Sequence, residues 1–194
     1  MVEAQSVLQQ LFYDGRSYSF WTDQPVAQKT LNQLYDALRH GPTANNACPA
    51  RFVFLMSDSA KARLAKHMFG PNADKVRRAP VVVLVAYDEQ FYEKLPALFR
   101  AYDAAAPLRD NKSLAEKVAL RNSSLQGAYL MLAARALGLA CGPMSGFDEA
   151  GVNGDFLQDK QWQINFICAL GYGDSEKLYP KGPRLEQDEA CVFL

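Results

Sequence analysis

The run Val81-Val82-Val83-Leu84-Val85-Ala86, which follows Pro80 directly, decides how this sequence folds. Its residues are all apolar and mostly β-branched, a composition that favours a β-strand. A strand with one face in water would alternate apolar and polar residues, and this run does not alternate. The run therefore predicts a central strand that other elements cover on both faces.

Further strands and helices are predicted on both sides of this run. Residues 51–56 and 164–170 are predicted strands. Apolar residues at helical spacing predict a helix over about residues 25–38. A capping box at residues 113–116 predicts the start of a long, Ala-rich helix that ends near Gly138. Strands separated by helices favour an α+β or α/β sandwich, with the long helix buried at its centre or between two subunits.

Residues 1–194 are expected to form a single domain, because no repeat and no linker rich in Pro, Gly or Ser divides them. Within them, residues 88–112 mix aromatic side chains with charges and two prolines. Two interpretations of this segment stay open: a partly helical lid over a binding site, or a surface insertion that packs its own aromatic residues.

The charge balance argues against large polyanions as partners. The chain has 21 basic and 21 acidic residues, and its formal net charge is +0. Nucleic acid and anionic membranes attract proteins that carry a basic excess. No apolar run approaches the roughly 18–20 residues that a membrane-spanning helix needs. We therefore expect neither nucleic acid nor a membrane as a partner, while a local basic cluster can still bind one small anion.

The cysteines and histidines predict neither disulfides nor a metal site. The four cysteines form no CxxC pair, and the N-terminus carries no visible export signal, which favours free thiols in a reducing cytoplasm. His40 and His67 have no carboxylate or thiol beside them at ligand spacing, so no metal is expected.

Common enzyme motifs do not explain the chain. No G-x-G-x-x-G leads from a strand into a helix, and neither a phosphate-binding P-loop nor a G-x-S-x-G motif occurs. Cys48 would act as a nucleophile only if His40 folded against it, and the residues around Cys48 include no base.

Four short polar segments interrupt the apolar structure with groups able to bind a ligand. Each segment taken alone is also compatible with an ordinary surface arginine, turn, connection or tail. The segments are residues 16–19, 41–49, 142–148 and 181–184.

In this order, the segments resemble those of the nitroreductase family of FMN enzymes, over nearly the whole chain. The family motifs are an Arg-Ser pair, a Pro-Ser-x-x-Asn-x-Gln-Pro loop, an Asn-x-x-Lys, a Pro-x-x-Gly-Phe-Asp segment, and a Gly-Tyr strand end followed by a basic Pro-Arg tail. The segments that match them are Arg16-Ser17, residues 42–49, residues 72–75, residues 143–148, Gly171-Tyr172 and Pro183-Arg184. Each motif is short, and the specificity comes from their common order.

The resemblance implies a nitroreductase-like α/β sandwich, with a central mixed sheet flanked by helices and a long central helix. It also implies a homodimer that holds FMN at its interface and takes hydride from NADH or NADPH for a small-molecule acceptor. No catalytic acid or base is expected, because the cofactor performs the hydride steps. The residues expected to bind FMN are Arg16, Ser17, Pro42, Thr43, Asn46, Asn72, Lys75, Ser145, Gly146, Lys181 and Arg184.

The chemistry of these residues suits FMN. Guanidinium and ammonium groups, here Arg16, Arg184 and Lys181, bind a phosphate dianion well. By the resemblance, the hydroxyls of Ser17 and Thr43 face phosphate or ribityl oxygens, and the Asn46 amide serves the ribityl chain or the ring edge.

The ring edges have their own residues in the resemblance. Asn72 and Lys75 face N1 and O2, where a cation stabilises the anionic reduced flavin. The Ser145-Gly146 backbone approaches N5 and O4. The loop at residues 42–49 reaches FMN from the partner subunit, so that one chain holds half a site.

Two positions depart from the family pattern. Cys48 stands where the loop motif has Gln, which affects the expected ring contacts. Ser19 replaces a second basic residue after the Arg-Ser pair, which weakens the phosphate end unless Lys181 compensates for it.

Several stretches resemble one subgroup, the malonic semialdehyde reductases that form 3-hydroxypropionate. They are residues 91–96, 121–124, 142–148 and 171–175. The subgroup resemblance implies reduction of a small aldehyde acid, whose carboxylate would need a cation over the flavin. Arg100, Arg109 and Arg121 are candidates, and Arg121 is equally compatible with a structural role as a pair partner or interface residue.

Two alternatives stay open. The acceptor can instead be a nitroaromatic or a quinone that stacks on the same flavin face. The chain can also be a flavin-binding module without turnover, although Arg16, Asn46 and Arg184 are all retained.

Overall fold

The computed structural model describes residues 4–194, and the first three residues of the predicted domain lie outside it. The strands are β1 (Ala50–Leu55), β2 (Val81–Asp88), β3 (Ala140–Met144) and β4 (Trp162–Gly171). The α-helices are α1 (Ala4–Leu8), α2 (Gln28–Leu38), α3 (Asp58–Ala65), α4 (Asn72–Arg78), α5 (Leu95–Leu98), α6 (Ala106–Arg109), α7 (Lys112–Ala136), α8 (Glu149–Val152) and α9 (Gln187–Ala190). Short 3₁₀ or π turns lie at Gln9–Tyr13, Ala44–Asn46, Phe91–Lys94, Asn153–Leu157, Gln158–Lys160 and Ser175–Lys177.

The strands form one sheet in the order β1-β2-β4-β3, with every neighbouring pair antiparallel. The sequence analysis expected a mixed sheet, but within residues 4–194 the only parallel pairing is an isolated bridge between Ser17 and Cys141. The physical reason is that an unbroken apolar run indicates coverage of both strand faces and carries no information on the direction of its neighbours. The α+β sandwich itself is confirmed.

The apolar run at residues 81–86 lies in β2, and its alternate side chains serve two separate cores. Val82, Leu84 and Ala86 pack with α3 and α4 on one face of the sheet. Val81, Val83 and Val85 pack with α2 and α7 on the other face. Because successive side chains of a strand point to opposite faces of the sheet, this one strand packs against the helices on both faces.

The long helix α7 crosses the second face of the sheet and has 25 residues. Its N-cap is Asn111, whose side chain accepts a hydrogen bond from the backbone amide of Leu114, so the helix begins before the predicted Ser113 cap. Gly138, with a φ of 78°, follows its C-terminal end as predicted. Among the described helices, none is long and apolar enough to span a membrane.

Candidate functional site

The first predicted segment lies against the edge strand β3. Ser17 forms a bridge with Cys141, and the backbone amide of Tyr18 donates to the Cys141 carbonyl at 2.9 Å. These contacts place Arg16 and Ser17 at the outer edge of the sheet, next to the strand that leads to Ser145 and Gly146.

Lys75 on α4 reaches the same edge from the other direction. A Cβ on Gly142 would lie 2.7 Å from Lys75 Cε and would also meet the Tyr18 carbonyl, so a glycine is required at this crossing. Burial lowers the pKa of the Lys75 ammonium from its ordinary value of 10.5, while the Cys168 thiol opposes this effect by raising it. A partly buried cation of this kind is well placed to receive an anionic group.

Asn72 stands one helical turn before Lys75, on the same face of α4. Its side-chain amide donates to the Gly146 carbonyl at 3.1 Å. A Cβ on Gly146 would lie 2.8 Å from that amide nitrogen, so the glycine permits this close approach. The structure therefore brings Asn72 to Gly146 and Lys75 to Gly142, at the end of β3 that leads to Ser145.

The three basic residues predicted to bind phosphate, Arg16, Lys181 and Arg184, make different contacts. The Arg16 guanidinium donates to the Tyr179 carbonyl, and Lys181 Nζ donates to the Tyr13 carbonyl at 2.6 Å. These two contacts bring Lys181 to the segment that carries Arg16. Arg184 instead donates to the carbonyl of Pro183 at 2.9 Å and stays on the exposed tail.

A second guanidinium lies beside Arg16 and was not found by sequence reasoning. Arg16 and Arg135 both line a cavity of about 380 Å³ at this edge. Arg135 donates to the Leu11 carbonyl at 2.7 Å, but its Nε is buried without a hydrogen-bond partner among the described residues. Arg135 lies in the last turn of an Ala-rich helix, where a basic residue is ordinarily explained by the helix dipole.

The loop before β1 carries the other predicted residues, Pro42, Thr43 and Asn46. Asn46 has a φ of 51° and Cys48 has a φ of 43°. Both values lie in the left-handed region, which residues other than glycine rarely adopt. The Thr43 hydroxyl accepts a hydrogen bond from the Cys48 amide at 3.2 Å, and the Asn46 side chain donates to the Leu98 carbonyl at 3.0 Å.

Three side chains of α7 hold this loop, and the sequence analysis did not assign them. Asn122 accepts from the Ala44 amide at 2.8 Å. Gln126 accepts from the Ala50 amide at 2.9 Å. The Tyr129 hydroxyl donates to the Pro42 carbonyl at 2.9 Å. Their spacing puts all three on one face of the helix, and this polar pattern on a buried face was the available signal.

Ser17 and the loop at residues 42–49 lie at diagonally opposite corners of the sheet, while Ser145 and Gly146 follow Met144, which is level with Leu84 in the middle of β2. The loop leads into Ala50, which pairs with Tyr87 at the far end of β2, whereas Cys141 pairs with Leu170, which pairs with Val81 at the near end. The corners are about 20 Å apart along the strands and about 14 Å apart across them, at ordinary strand rises and spacings. These two places, which are half-sites if one flavin uses both, therefore lie apart in a single chain.

The three arginines considered for an acceptor carboxylate line neither the cavity that contains Arg16 nor the cavity that contains Pro42 and Asn46. Arg109 pairs with Glu93 at 3.0 Å, and Arg121 points to the exposed side of α7. Arg100 lies with Arg109 around a separate cavity of about 360 Å³ within residues 88–112.

The fold and these half-sites define an α+β protein with a cation-rich sheet edge and an amide-rich loop at the opposite corner. The chain belongs to the nitroreductase family of oxidoreductases, since the family model described as "Nitroreductase family" matches residues 16–172.

Relatives and solved structures agree with this family. A Ralstonia nicotianae protein is 53% identical over 189 residues, 97% of each chain, and is named provisionally as an NADH dehydrogenase/NAD(P)H nitroreductase. A Rhodopseudomonas palustris protein of the same name is 50% identical over 96% of this chain and 95% of its own.

Two crystal structures have the same fold. A Bacillus subtilis protein, provisionally a nitroreductase, has a TM-score of 0.86 at 22% identity, over 98% of this chain and 100% of its own. An Exiguobacterium sibiricum protein, solved in complex with FMN, has a TM-score of 0.83 at 18% identity, over 100% of this chain and 98% of its own.

Proposed function

We propose that this protein is a homodimeric, FMN-dependent NAD(P)H oxidoreductase whose flavin lies between two copies of the chain. The observation that carries the proposal is the separation of the two half-sites on opposite corners of one sheet. A second copy brings the loop of one chain to the cationic edge of the other and completes two equivalent sites.

The residues at the cationic edge fit FMN chemically. Arg16 and Lys181 supply donors for a phosphate dianion, and the partly buried Lys75 supplies a cation for the ring edge that becomes anionic on reduction. The glycine at position 146 leaves room for a ring against the backbone, where a side chain would meet Asn72. Bound FMN supplies hydride transfer between a nicotinamide and an acceptor, and the protein orients the two reactants in turn.

Exposed apolar side chains support the dimer. Leu120 and Leu125 on α7 are 47% and 42% exposed, although α7 otherwise packs on the sheet. The chain ends in Val192, Phe193 and Leu194, which are exposed almost completely. Apolar surface on a long helix and on an extended tail is typical of a face that another chain covers.

For the acceptor, we propose malonic semialdehyde, reduced to 3-hydroxypropionate, on the resemblance of residues 91–96 and 142–148 to that subgroup. The alternative, a broad nitroaromatic or quinone reductase, is supported by the names of the relatives at 53% and 50% identity. NADH and NADPH are both candidate donors. We also propose a cytoplasmic location, supported by four free cysteines.

Colour tests the proposal first. The purified protein is expected to show flavin absorbance, or to gain it after incubation with FMN and desalting. Protein that stays colourless after this treatment would contradict the proposed function. Oxidation of NADH and NADPH is then compared with malonic semialdehyde, menadione and a nitrofuran as acceptors. Turnover with the aromatic acceptors alone would reject the semialdehyde.

A further inference from the structure

A large cavity lies beside the loop at residues 42–49. Its volume is about 610 Å³, within the usual range for small-molecule sites. The cavity is lined in part by Pro42, Asn46 and Cys48, so it adjoins the loop that we propose faces the flavin.

The charged residues that line this cavity are all basic. They are Arg39, Arg51 and Lys94, and among the described lining residues there is no aspartate or glutamate. In a chain with equal numbers of acidic and basic residues, this local excess creates a positive field inside a concave surface.

Arg51 is not free to bind a ligand. Its guanidinium pairs with Asp88 at 2.7 Å and also donates to the Ala50 carbonyl at 2.8 Å, with both side chains mostly buried. Arg51 therefore holds the beginning of β1 in place. Arg39 and Lys94 are the cations of the cavity lining that can bind a ligand.

Arg39 and Lys94 approach the cavity from two different elements. Arg39 follows the last turn of α2, and its one ion pair within residues 4–194 is with the exposed Asp36, an i,i+3 surface contact of 2.9 Å that an anionic ligand can replace. Lys94 ends the turn before α5 and has no ion pair within residues 4–194. Two cations on separate elements can converge on one anion.

Part of the cavity lining is aromatic. Tyr35 and Phe52 pack edge to face, with ring centroids 6.4 Å apart, and both line the cavity. An apolar wall with cations at the rim fits a flat or short reactant that ends in an anionic group.

We propose that Arg39 and Lys94 bind the anionic group of a reactant that reaches the flavin from this cavity. The group is a carboxylate of the acceptor or the 2′-phosphate of NADPH, which share the same recognition by paired cations. This inference rests on the proposed function and replaces Arg100, Arg109 and Arg121 as the cations for an acid substrate.

The test compares pairs of reactants that differ in one anionic group. Steady-state KM is measured for 4-nitrobenzoate against 4-nitrobenzamide, and for NADPH against NADH, in wild type, the Arg39→Ala/Lys94→Ala variant and Lys29→Ala. Lys29 is an exposed lysine on α2 outside the cavity and serves as the matched control.

If the acceptor carries the anion, the double variant raises KM for 4-nitrobenzoate roughly tenfold and leaves the neutral amide unchanged, as expected for the loss of a charge-assisted contact. If the phosphate of NADPH is the anion, KM rises for NADPH and not for NADH. Equal KM values in the double variant and Lys29→Ala, for all four reactants, would overturn the inference.

Flavin content separates this result from a failure of the proposed function. A double variant that retains flavin and loses only the charge preference supports the inference. Wild-type protein without flavin refutes the proposed function, and the cavity is then tested by calorimetric titration of 4-nitrobenzoate into wild type and the double variant. Equal heats in that titration reject the role of Arg39 and Lys94.

Discussion

The side-chain oxygen of Asn122 accepts a hydrogen bond of 2.8 Å from the backbone amide of Ala44, which lies 78 residues earlier in the chain. The side-chain nitrogen of Asn122 donates to the Val118 carbonyl at 2.8 Å, within α7. Because Asn122 is buried, both bonds are shielded from water. The long helix thus sets the position of the loop that we propose contacts the flavin of the partner.

Replacing Asn122 with Ala is expected to destabilise the fold by about 1–3 kcal/mol, because it leaves the Ala44 amide without its partner. Flavin retention should fall with it, since the loop loses its anchor. Urea unfolding and flavin content after desalting measure the two effects. Lys29→Ala, at an exposed position on α2, is the control. A stable Asn122→Ala protein with full flavin content would contradict this role.

Gly142→Ala tests the close packing at the cationic edge, where the Tyr18 backbone and Lys75 of α4 both approach Gly142 of β3. A methyl group there would meet the Tyr18 carbonyl and lie 2.7 Å from Lys75 Cε, so the backbone has to shift. We expect a loss of about 1–3 kcal/mol from overpacking and weaker FMN binding. In Gly154→Ala the new methyl group meets nothing within 4 Å, and this variant should resemble wild type in thermal melting and FMN titration. Equal behaviour of the two variants would argue against a tight crossing.

The exposed leucines of α7 test the dimer. Leu120→Glu combined with Leu125→Glu places two charges on the proposed interface and should convert the protein to monomers that hold little flavin. Light scattering after size-exclusion chromatography gives the mass. Met56→Glu, which changes an equally exposed residue at the end of β1, should leave the dimer intact. A dimeric Leu120→Glu/Leu125→Glu protein would place the interface elsewhere.

The sequence was sufficient for the central strand of the fold, while the role of the site residues stays a prediction. The composition of residues 81–86 predicts a doubly covered strand, and β2 is one. Asn72 and Lys75 are paired through the family resemblance alone, and no helix is predicted there; in the structure they lie three residues apart on α4.

Long-range relationships could not be predicted from the sequence. The distance between Thr43 and Ser17 depends on which strands become neighbours, and strand composition does not encode that order. Asn122 was missed because a polar residue on a buried helix face indicates a buried partner without identifying it. The start of α7 was misplaced because Asn111 and Ser113 are both good cap residues only two positions apart.

Lys75 should show opposite effects on stability and on cofactor binding. Its pKa is lowered by burial, so between the folded-state pKa and 10.5 the unfolded chain binds more protons than the native one. Below that window, the burial of the charged Lys75 lowers the free energy of unfolding. As the pH rises through the window, Lys75 loses its proton in the native state and this penalty disappears. Lys75→Met removes the charge at every pH.

We accordingly expect Lys75→Met to stabilise the flavin-free protein at pH 7, with an advantage over wild type that shrinks as the pH approaches 10.5. FMN binding should weaken in the same variant, because the ring edge loses its cation. Chemical unfolding of the flavin-free proteins over a pH series measures the first effect, and FMN titration the second. An advantage of Lys75→Met that grows with pH would contradict a lowered pKa for Lys75.

The central claim is that each flavin contacts the loop of one chain and the cationic edge of the other, and subunit complementation tests it most directly. Asn46→Gly removes a loop side chain at a φ of 51°, where glycine is well tolerated, and Lys75→Ala removes the cation from the edge. Each homodimer alone should hold little flavin.

The two variants are co-expressed with different affinity tags, and the heterodimer is isolated by sequential purification. In a shared site, both substitutions fall on one of the two sites and the other site is entirely wild type. The account therefore predicts about one FMN per heterodimer, measured by absorbance against protein concentration. A heterodimer that holds no more flavin than either parent would mean that each chain binds FMN alone, and would contradict the shared site.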